Sequence, residues 1–272
     1  MAGVGVGVGV GVGGARTVGG PAGQDRGMAH LLVTGSTDGL GRGAAEALLE
    51  QGHHVVVHAR SDSRGEVLQP LVDRGARLVV ADLGDRDAVT ALADELNALD
   101  SPLDAVIHNA GLIRGEAMMP VNVVAPYLLT ALLTAPTRHV YLSSGMHKSG
   151  SASVLDTVDW AGTRETGSYS DSKLFVTAFS AAVARLLPDL RSNAVDPGWV
   201  ATKMGGAGAP DDFELGHRTQ RRLALGELGE VSGAYWFHDE QQRPHESVGD
   251  EGFQDAVLAV LERETGVVLP RG

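Results

Sequence analysis

Tyr169 and Lys173 stand four residues apart in Tyr-Ser-Asp-Ser-Lys, at the head of a run with helical character. On a helix this spacing puts both side chains on one face. An ammonium beside a phenol stabilises the phenolate. The pair therefore predicts a Tyr169 pKa drawn below its reference of about 10, and a proton donor usable near neutral pH. By itself the pair describes an exposed helix face equally well. Two other features of the chain separate the readings: a glycine-rich turn far upstream and Ser143-Ser144 between the two.

The upstream segment runs His30-Leu-Leu-Val-Thr-Gly35-Ser36-Thr37-Asp-Gly39-Leu40-Gly41 and continues into Ala44-Ala-Glu-Ala-Leu-Leu-Glu-Gln51. An apolar run, a glycine turn and a stretch of good helix formers read as strand, turn and helix. Glycines let the backbone approach a pyrophosphate, which sits on the free N–H groups and positive dipole end of the helix. The spacing Gly-x-x-x-Gly-x-Gly departs from the commoner dinucleotide fingerprint. A second strand, His54-Val-Val-Val-His-Ala59, follows at the distance that a nucleotide fold requires.

The end of that second strand bears on the cofactor. Dinucleotide folds place an acid about twenty residues beyond the glycines, where it binds the ribose 2′-hydroxyl of NAD. Ala59 and Arg60 occupy the region, and the first acid is Asp62. Without the carboxylate a 2′-phosphate meets no repulsion, and a guanidinium can grip it through paired hydrogen bonds. The expected cofactor is NADP(H).

With these segments in view, the chain resembles the short-chain dehydrogenase/reductase family, in its retinol-dehydrogenase-like and bacterial carbonyl reductase branch. Further motifs carry the resemblance in order from about residue 30 to about residue 204: Asp82-Leu83, Asn109-Ala110-Gly111, Asn122, Ser143-Ser144 and Asp196-Pro197-Gly198-Trp-Val200-Ala-Thr202. The resemblance implies that Asp82 and Leu83 meet the adenine and that Asn109 to Gly111 hold its ribose. It implies that Pro197, Gly198, Val200 and Thr202 wrap the nicotinamide. Tyr169 would be the general acid and Ser144 its partner on the carbonyl oxygen. Lys173 would hold the ribose and lower the Tyr169 pKa, while Asn122 anchors a water behind Lys173. The implied fold is a single-domain α/β Rossmann fold, a doubly wound parallel sheet of about seven strands with helices on both faces. The implied reaction is reversible reduction of a ketone or aldehyde by NADPH, in an assembly that is commonly a dimer or tetramer.

Two stretches depart from the family pattern. Asn122 follows Asn109 closely, which demands a short connection. The span from Ser144 to Tyr169 is long and is expected to shape the substrate mouth, together with Met146, Trp160, Trp199, Met204 and Phe213. Those residues suggest an apolar or aromatic ketone.

Composition narrows the alternatives. The chain has 272 residues, a length that one α/β domain accommodates. A net charge of −12 opposes binding to nucleic acid. With no cysteine there is no disulfide framework, thiol nucleophile or Cys-based metal site. No His-Glu-x-x-His pattern occurs among the ten histidines, so no metal is expected. His147 is the one histidine placed to line the pocket. No apolar run is long enough to span a membrane, and a cytoplasmic location is expected.

Residues 1–27 alternate Gly and Val and then turn Gly/Ala-rich, which predicts a disordered tail before a single domain over 28–272. Strands are predicted near 30–34, 54–59, 77–81, 103–108, 138–143, 190–195 and 234–238, with a substrate lid at 204–230. Phe253, Val257 and Leu261 form a stripe at helical spacing, expected to be core or subunit contact. A nucleotide-binding regulator that kept the fold without turnover is the alternative reading. The first-turn spacing and chain length fit a nucleotide-sugar epimerase poorly.

Overall fold

The computed structural model describes residues 1–3 and 27–271, so the tail expected to be disordered lies almost wholly outside the described residues. Leu31, Leu32 and Val33, then Val55, Val56 and Val57, are buried without alternation. Continuous apolar runs of this kind mark strands covered on both faces. They belong to β1 (His30–Val33) and β2 (His54–Ala59), joined by helix α1 (Gly39–Glu50). Two one-turn helices, α2 (Asp62–Gly65) and α3 (Gln69–Val72), lead to β3 (Arg77–Val80). Helix α4 (Arg86–Asn97), capped by Asp85, then leads to β4 (Ala105–His108).

Helix α5 (Ala125–Leu132) precedes β5 (Arg138–Leu142), and α6 (Tyr169–Leu186) precedes β6 (Arg191–Asp196). The chain closes with α7 (Phe213–Ala224), β7 (Tyr235–Phe237), β8 (Glu240–Gln242) and α8 (Glu251–Thr265). The strands form one sheet in the order β3-β2-β1-β4-β5-β6-β7-β8. All neighbours are parallel except β8, which pairs antiparallel with β7. The order reverses between β1 and β4, and ligands of such sheets bind at the carboxyl ends of the strands beside that point.

β8 is the strand beyond the seven expected. Its Glu-Gln-Gln sequence is exposed and carries no strand pattern. What makes it is the turn before it, where His238 and Asp239 take φ of 46° and 67°. Two consecutive residues with positive φ form the tight turn that matches strand twist in a hairpin.

Helices α4, α5, α6 and α8 cover one face of the sheet, and α1 and α7 the other. Phe253, Val257 and Leu261 of α8 are buried in the first of these layers. The segment read as a lid, 204–230, contains α7, and most of α7 is a core-facing layer. Gly43 of α1 permits its close approach: a Cβ there would stand 2.7 Å from both Phe213 and His217. Phe213, partly exposed, packs against α1 with its ring 5.2 Å from the His217 ring.

The long span before Tyr169 also divides. Residues 145–150 stay beside Ser144, while Trp160 is buried against Phe175 with ring centroids 5.5 Å apart. Arg86 donates to the Trp160 carbonyl at 2.9 Å and fastens this part to the helical layer. Trp160 is therefore core and not mouth.

Candidate active site

The glycine turn between β1 and α1 is fixed by buried polar contacts. Gly35 has φ of +67°, and a Cβ on it would meet the Ala110 Cα at 2.9 Å. A Cβ on Gly41 would lie 2.2 Å from the Asn109 amide nitrogen and 2.5 Å from the Gly35 oxygen. Both positions therefore require glycine. Asn109 donates to the carbonyls of Thr34 and Gly35 at 2.9 and 3.2 Å, tying β4 to the turn.

Ser36 is fully buried, donates to the Val33 oxygen at 2.5 Å and accepts from His58 N–H at 3.1 Å. The His58 ring accepts from Gly35 N–H through Nδ1 at 3.1 Å, so Nε2 carries the proton to the Ala81 oxygen at 2.9 Å. Burial lowers the His58 pKa and keeps it in this neutral form. Asp38, which precedes α1, makes no capping bond to it, and the first turn holds no acid. The amino end of α1 thus presents free N–H groups and a positive dipole end.

That end opens on a cavity of about 450 Å³. Gly35, Thr37, Gly39, Leu40, Arg60, Asp82, Leu83, Asn109, Ala110, Gly111, Pro197 and Thr202 line it, and Tyr169 and Lys173 stand at its inner end. Ser36, Gly41, Gly198 and Val200, expected among the cofactor contacts, stand behind the wall. Val200 is buried and pairs with Asp211, and Gly198 is pressed against the same aspartate. The uncapped helix end, the glycine cradle and the neighbouring guanidiniums fit an extended dinucleotide with a pyrophosphate at α1.

Arg60 has a companion that the linear pattern did not single out. Arg64, on α2, lines the same cavity and donates to Thr37 at 3.0 Å and to Asp38 at 3.1 Å. Lys203 reaches the same Asp38 oxygen at 2.9 Å from the other rim. Burial pushes Asp38 up, but the hydrogen bonds and charges of Lys203 and Arg64 outweigh it and hold the carboxyl below its ordinary value.

The reacting end is built by β5 and α6. A capping box between Ser168 and Asp171 starts α6 one residue before Tyr169. This fixes the phenol at the first turn, with Lys173 on the same face, its Nζ 5.5 Å from the Tyr169 ring centre. Lys173 is buried and donates to the Leu142 oxygen at 2.6 Å. Burial lowers its pKa to about 8.

The Tyr169 pKa moves opposite to the expectation from the Tyr-Lys pair. Burial pushes it up to about 12, the Ser144 hydrogen bond opposes this, and the Asp196 carboxylate adds to the rise. Desolvation is the larger effect, so the neutral phenol is the resting form. Ser143 borders the cavity but its hydroxyl is taken up by Thr177 at 2.6 Å, and Ser144 is the serine that hydrogen-bonds the Tyr169 phenol.

Asn122 lies in a π-helical turn, Pro120–Val124, that leads into α5. Such bulges re-aim side chains at functional sites. Its Oδ1 accepts from Leu112 N–H at 2.7 Å, and its amide donates to the Leu112 oxygen and to Ser172, both at 2.9 Å. Both amide protons are committed. The side chain positions the loop after Gly111 against α6.

The sequence model of the short chain dehydrogenase family matches residues 29–212. The chain belongs to the short-chain dehydrogenase family. A short-chain dehydrogenase of Penicillium rubens, chyC, is 38% identical over 259 residues, covering 89% of this chain and all of that one. Retinol dehydrogenase 14 of Mus musculus is 32% identical over 232 residues, covering 70% of each chain. Among solved structures, a protein from Mycobacterium paratuberculosis superposes with a TM-score of 0.71 at 22% identity, covering 89% of this chain and 95% of its own. A short-chain dehydrogenase from Shigella flexneri solved with NADP has a TM-score of 0.62 at 22% identity, over 78% of this chain and 97% of its own. The family binds a nicotinamide cofactor and carries out oxidoreduction.

In this dehydrogenase two further groups, Asp196 and His147, border Ser144. Asp196 accepts from Gly198 N–H at 3.0 Å and from the Tyr235 hydroxyl at 3.1 Å. Its carboxylate thus joins β6, β7 and the loop of Gly145, whose Cβ would lie 3.0 Å from it. His147 is fully buried, and its Nε2 accepts from His245 N–H at 2.9 Å. Nδ1 then carries the proton, donated to the Ser144 backbone carbonyl oxygen at 2.7 Å. His147 steadies the serine from behind and does not line the cavity. The partners of Asp196 and His147, Tyr235 and His245, are legible only with β7 and the 245–250 turn placed. Among the described residues no cluster suited to a metal ion occurs, and no helix is long and apolar enough to cross a membrane.

Proposed function

We propose that this dehydrogenase is an NADPH-dependent reductase of ketones or aldehydes, reversible toward alcohol oxidation. The observation that carries the reading is the meeting of Tyr169 and Lys173 at the wall of the cavity, with Ser144 hydrogen-bonded to the phenol and the phenol held protonated. The cofactor, when bound, supplies the hydride. The chain supplies geometry and a proton.

Tyr169 donates its proton to the carbonyl oxygen as charge develops there. Ser144 offers a second, preorganised hydrogen bond to the same oxygen. Lys173 meets the cost of the resulting phenolate, because its ammonium lies beside the ring and has no carboxylate partner. Asn122 and Asn109 hold the two loops that frame the cavity. General acid catalysis of this kind contributes roughly a hundred- to ten-thousand-fold. Arg60 and Arg64 would hold a 2′-phosphate, and the end of β2 has no acid to favour a free hydroxyl. The NADP bound in the Shigella flexneri structure accords with this choice.

The test is a panel of aldehydes and ketones mixed with purified protein and NADPH, followed by the loss of NADPH absorbance. Carbonyl-dependent oxidation, faster with NADPH than with NADH, is the expected result. Tight NADPH binding with no oxidation by any member of the panel would instead support a nucleotide-sensing regulator.

A further inference from the structure

Four large apolar side chains are exposed around the reacting end. Trp199 is 59% exposed, Met146 52%, Ile113 48% and Met204 47%. Met146, Ile113 and Met204 are continuous with the site, and Trp199 is tied to Gly205, the residue after Met204. Met146 N–H donates to the Ser144 hydroxyl oxygen at 3.2 Å, Ile113 follows the cavity residue Leu112, and Met204 itself lines the cavity. Exposed apolar groups collected at the mouth of a polar cleft mark what the cleft binds.

Trp199 differs from the other three in being held. Its indole N–H donates to the Gly205 oxygen at 2.8 Å, and its backbone N–H donates to Asp211 at 2.5 Å. The following residue, Val200, pairs with Asp211 and is buried. Gly205 is packed too closely for any side chain, with a Cβ position 2.1 Å from the Val200 oxygen. The indole is therefore a fixed plane standing in solvent beside flexible methionines. A fixed aromatic plane favours flat partners by stacking, and thioethers adapt to whatever outline lies over them.

We propose that the mouth takes a flat, conjugated carbonyl compound, such as an aryl ketone, and that Trp199 is the platform on which it stacks. The inference rests on the carbonyl-reductase reading and names its substrate class. Met146 and Met204 close on the edges of the ring system, and the carbonyl carbon faces the cavity beside Ser144 and Tyr169. Trp199 determines specificity in this arrangement and takes no part in proton transfer.

The experiment compares methyl naphthyl ketone with its saturated, puckered counterpart, methyl decalinyl ketone. Trp160 and Trp236 are 3% and 4% exposed, so quenching of tryptophan fluorescence by a ligand at the surface reports Trp199. Protein loaded with NADP⁺ cannot reduce a ketone, so binding is read without turnover. The flat ketone should quench and bind about tenfold tighter than the puckered one. Trp199→Ala should abolish the quenching and raise KM for the flat ketone by about the same factor, with a smaller rise for the puckered one, so that the preference between them is lost. Trp199→Phe should restore the KM preference. Equal binding of the two ketones, or an unchanged KM in Trp199→Ala, would overturn the proposal. If no carbonyl compound is reduced at all, the reductase reading fails, and the fluorescence titration decides alone whether flat compounds dock on Trp199.

Discussion

The two ends of the cleft are built on different terms. At the cofactor end the side chains that shape the cleft are spent on backbone: Asn109 on Thr34 and Gly35, His58 on Gly35 and Ala81, Lys173 on Leu142. At the substrate end, Met146, Trp199 and Met204 project from loops into solvent, and backbone contacts hold the loops. The first arrangement fixes atoms to serve one invariant ligand. The second fixes a frame and leaves its surface free to vary with substrate. Changes at the first end should therefore act on fold and cofactor together, and changes at the second on substrate alone.

The largest effect should come from Gly41→Ala. The added methyl would collide with the Asn109 amide and the Gly35 carbonyl, at 2.2 and 2.5 Å. Overpacking of this order costs about 1–3 kcal/mol or more. The melting temperature should fall, and NADPH binding, read by titration calorimetry, should drop below detection. A variant with normal affinity would show that the turn is less fixed than the contacts imply, and would break the contrast between the two ends.

Lys173 gives the next effect, through pH. The folded chain releases the Lys173 proton near 8 and the unfolded chain near 10.5. Between those values the unfolded state binds more protons, so stability rises with pH across that window and is lost as pH falls through the folded pKa. Below it the cost of the buried charge is fully present, on the order of 3 kcal/mol. Denaturant unfolding of Lys173→Met should lack this rise, so the wild type minus variant difference should shift between about pH 8 and about pH 10.5. A constant difference would show that the ammonium is better solvated than its burial suggests.

Arg60→Ala should have the smallest effect of the three. Loss of a charge-assisted contact to a 2′-phosphate costs about 1.5–3 kcal/mol. NADPH should bind at least about tenfold more weakly with NADH binding unchanged, and Arg64 should keep part of the preference. Arg60→Ala with both affinities unaltered would remove the argument for NADP(H) from this position.

The same contrast explains what was legible in the sequence. Glycines at 35 and 41, Asn109 and the Tyr169–Lys173 pair answer to backbone geometry, which imposes residue type and spacing. The parallel strands were legible for a similar reason, because burial on both faces demands unbroken apolar runs such as Val55 to Val57. β8 was hidden because its hairpin turn forms it and its Glu-Gln-Gln sequence does not. Trp160 read as a mouth residue, since an aromatic side chain looks alike in a core and at a pocket until its neighbours are placed. Asp38 with Lys203, and Asp196 with Tyr235, meet across long stretches of chain. The fall expected in the Tyr169 pKa was argued from one neighbour, and burial, a property of the whole fold, outweighed it.

The central claim is that the Tyr169 phenol gives its proton to a carbonyl oxygen. Tyr169→Phe removes one hydroxyl and keeps the ring, so the fold and NADPH affinity should be retained. With NADPH saturating and a carbonyl substrate drawn from the panel, kcat should fall at least about a hundredfold. A variant that binds NADPH normally and still turns over at a near wild-type rate would contradict the account.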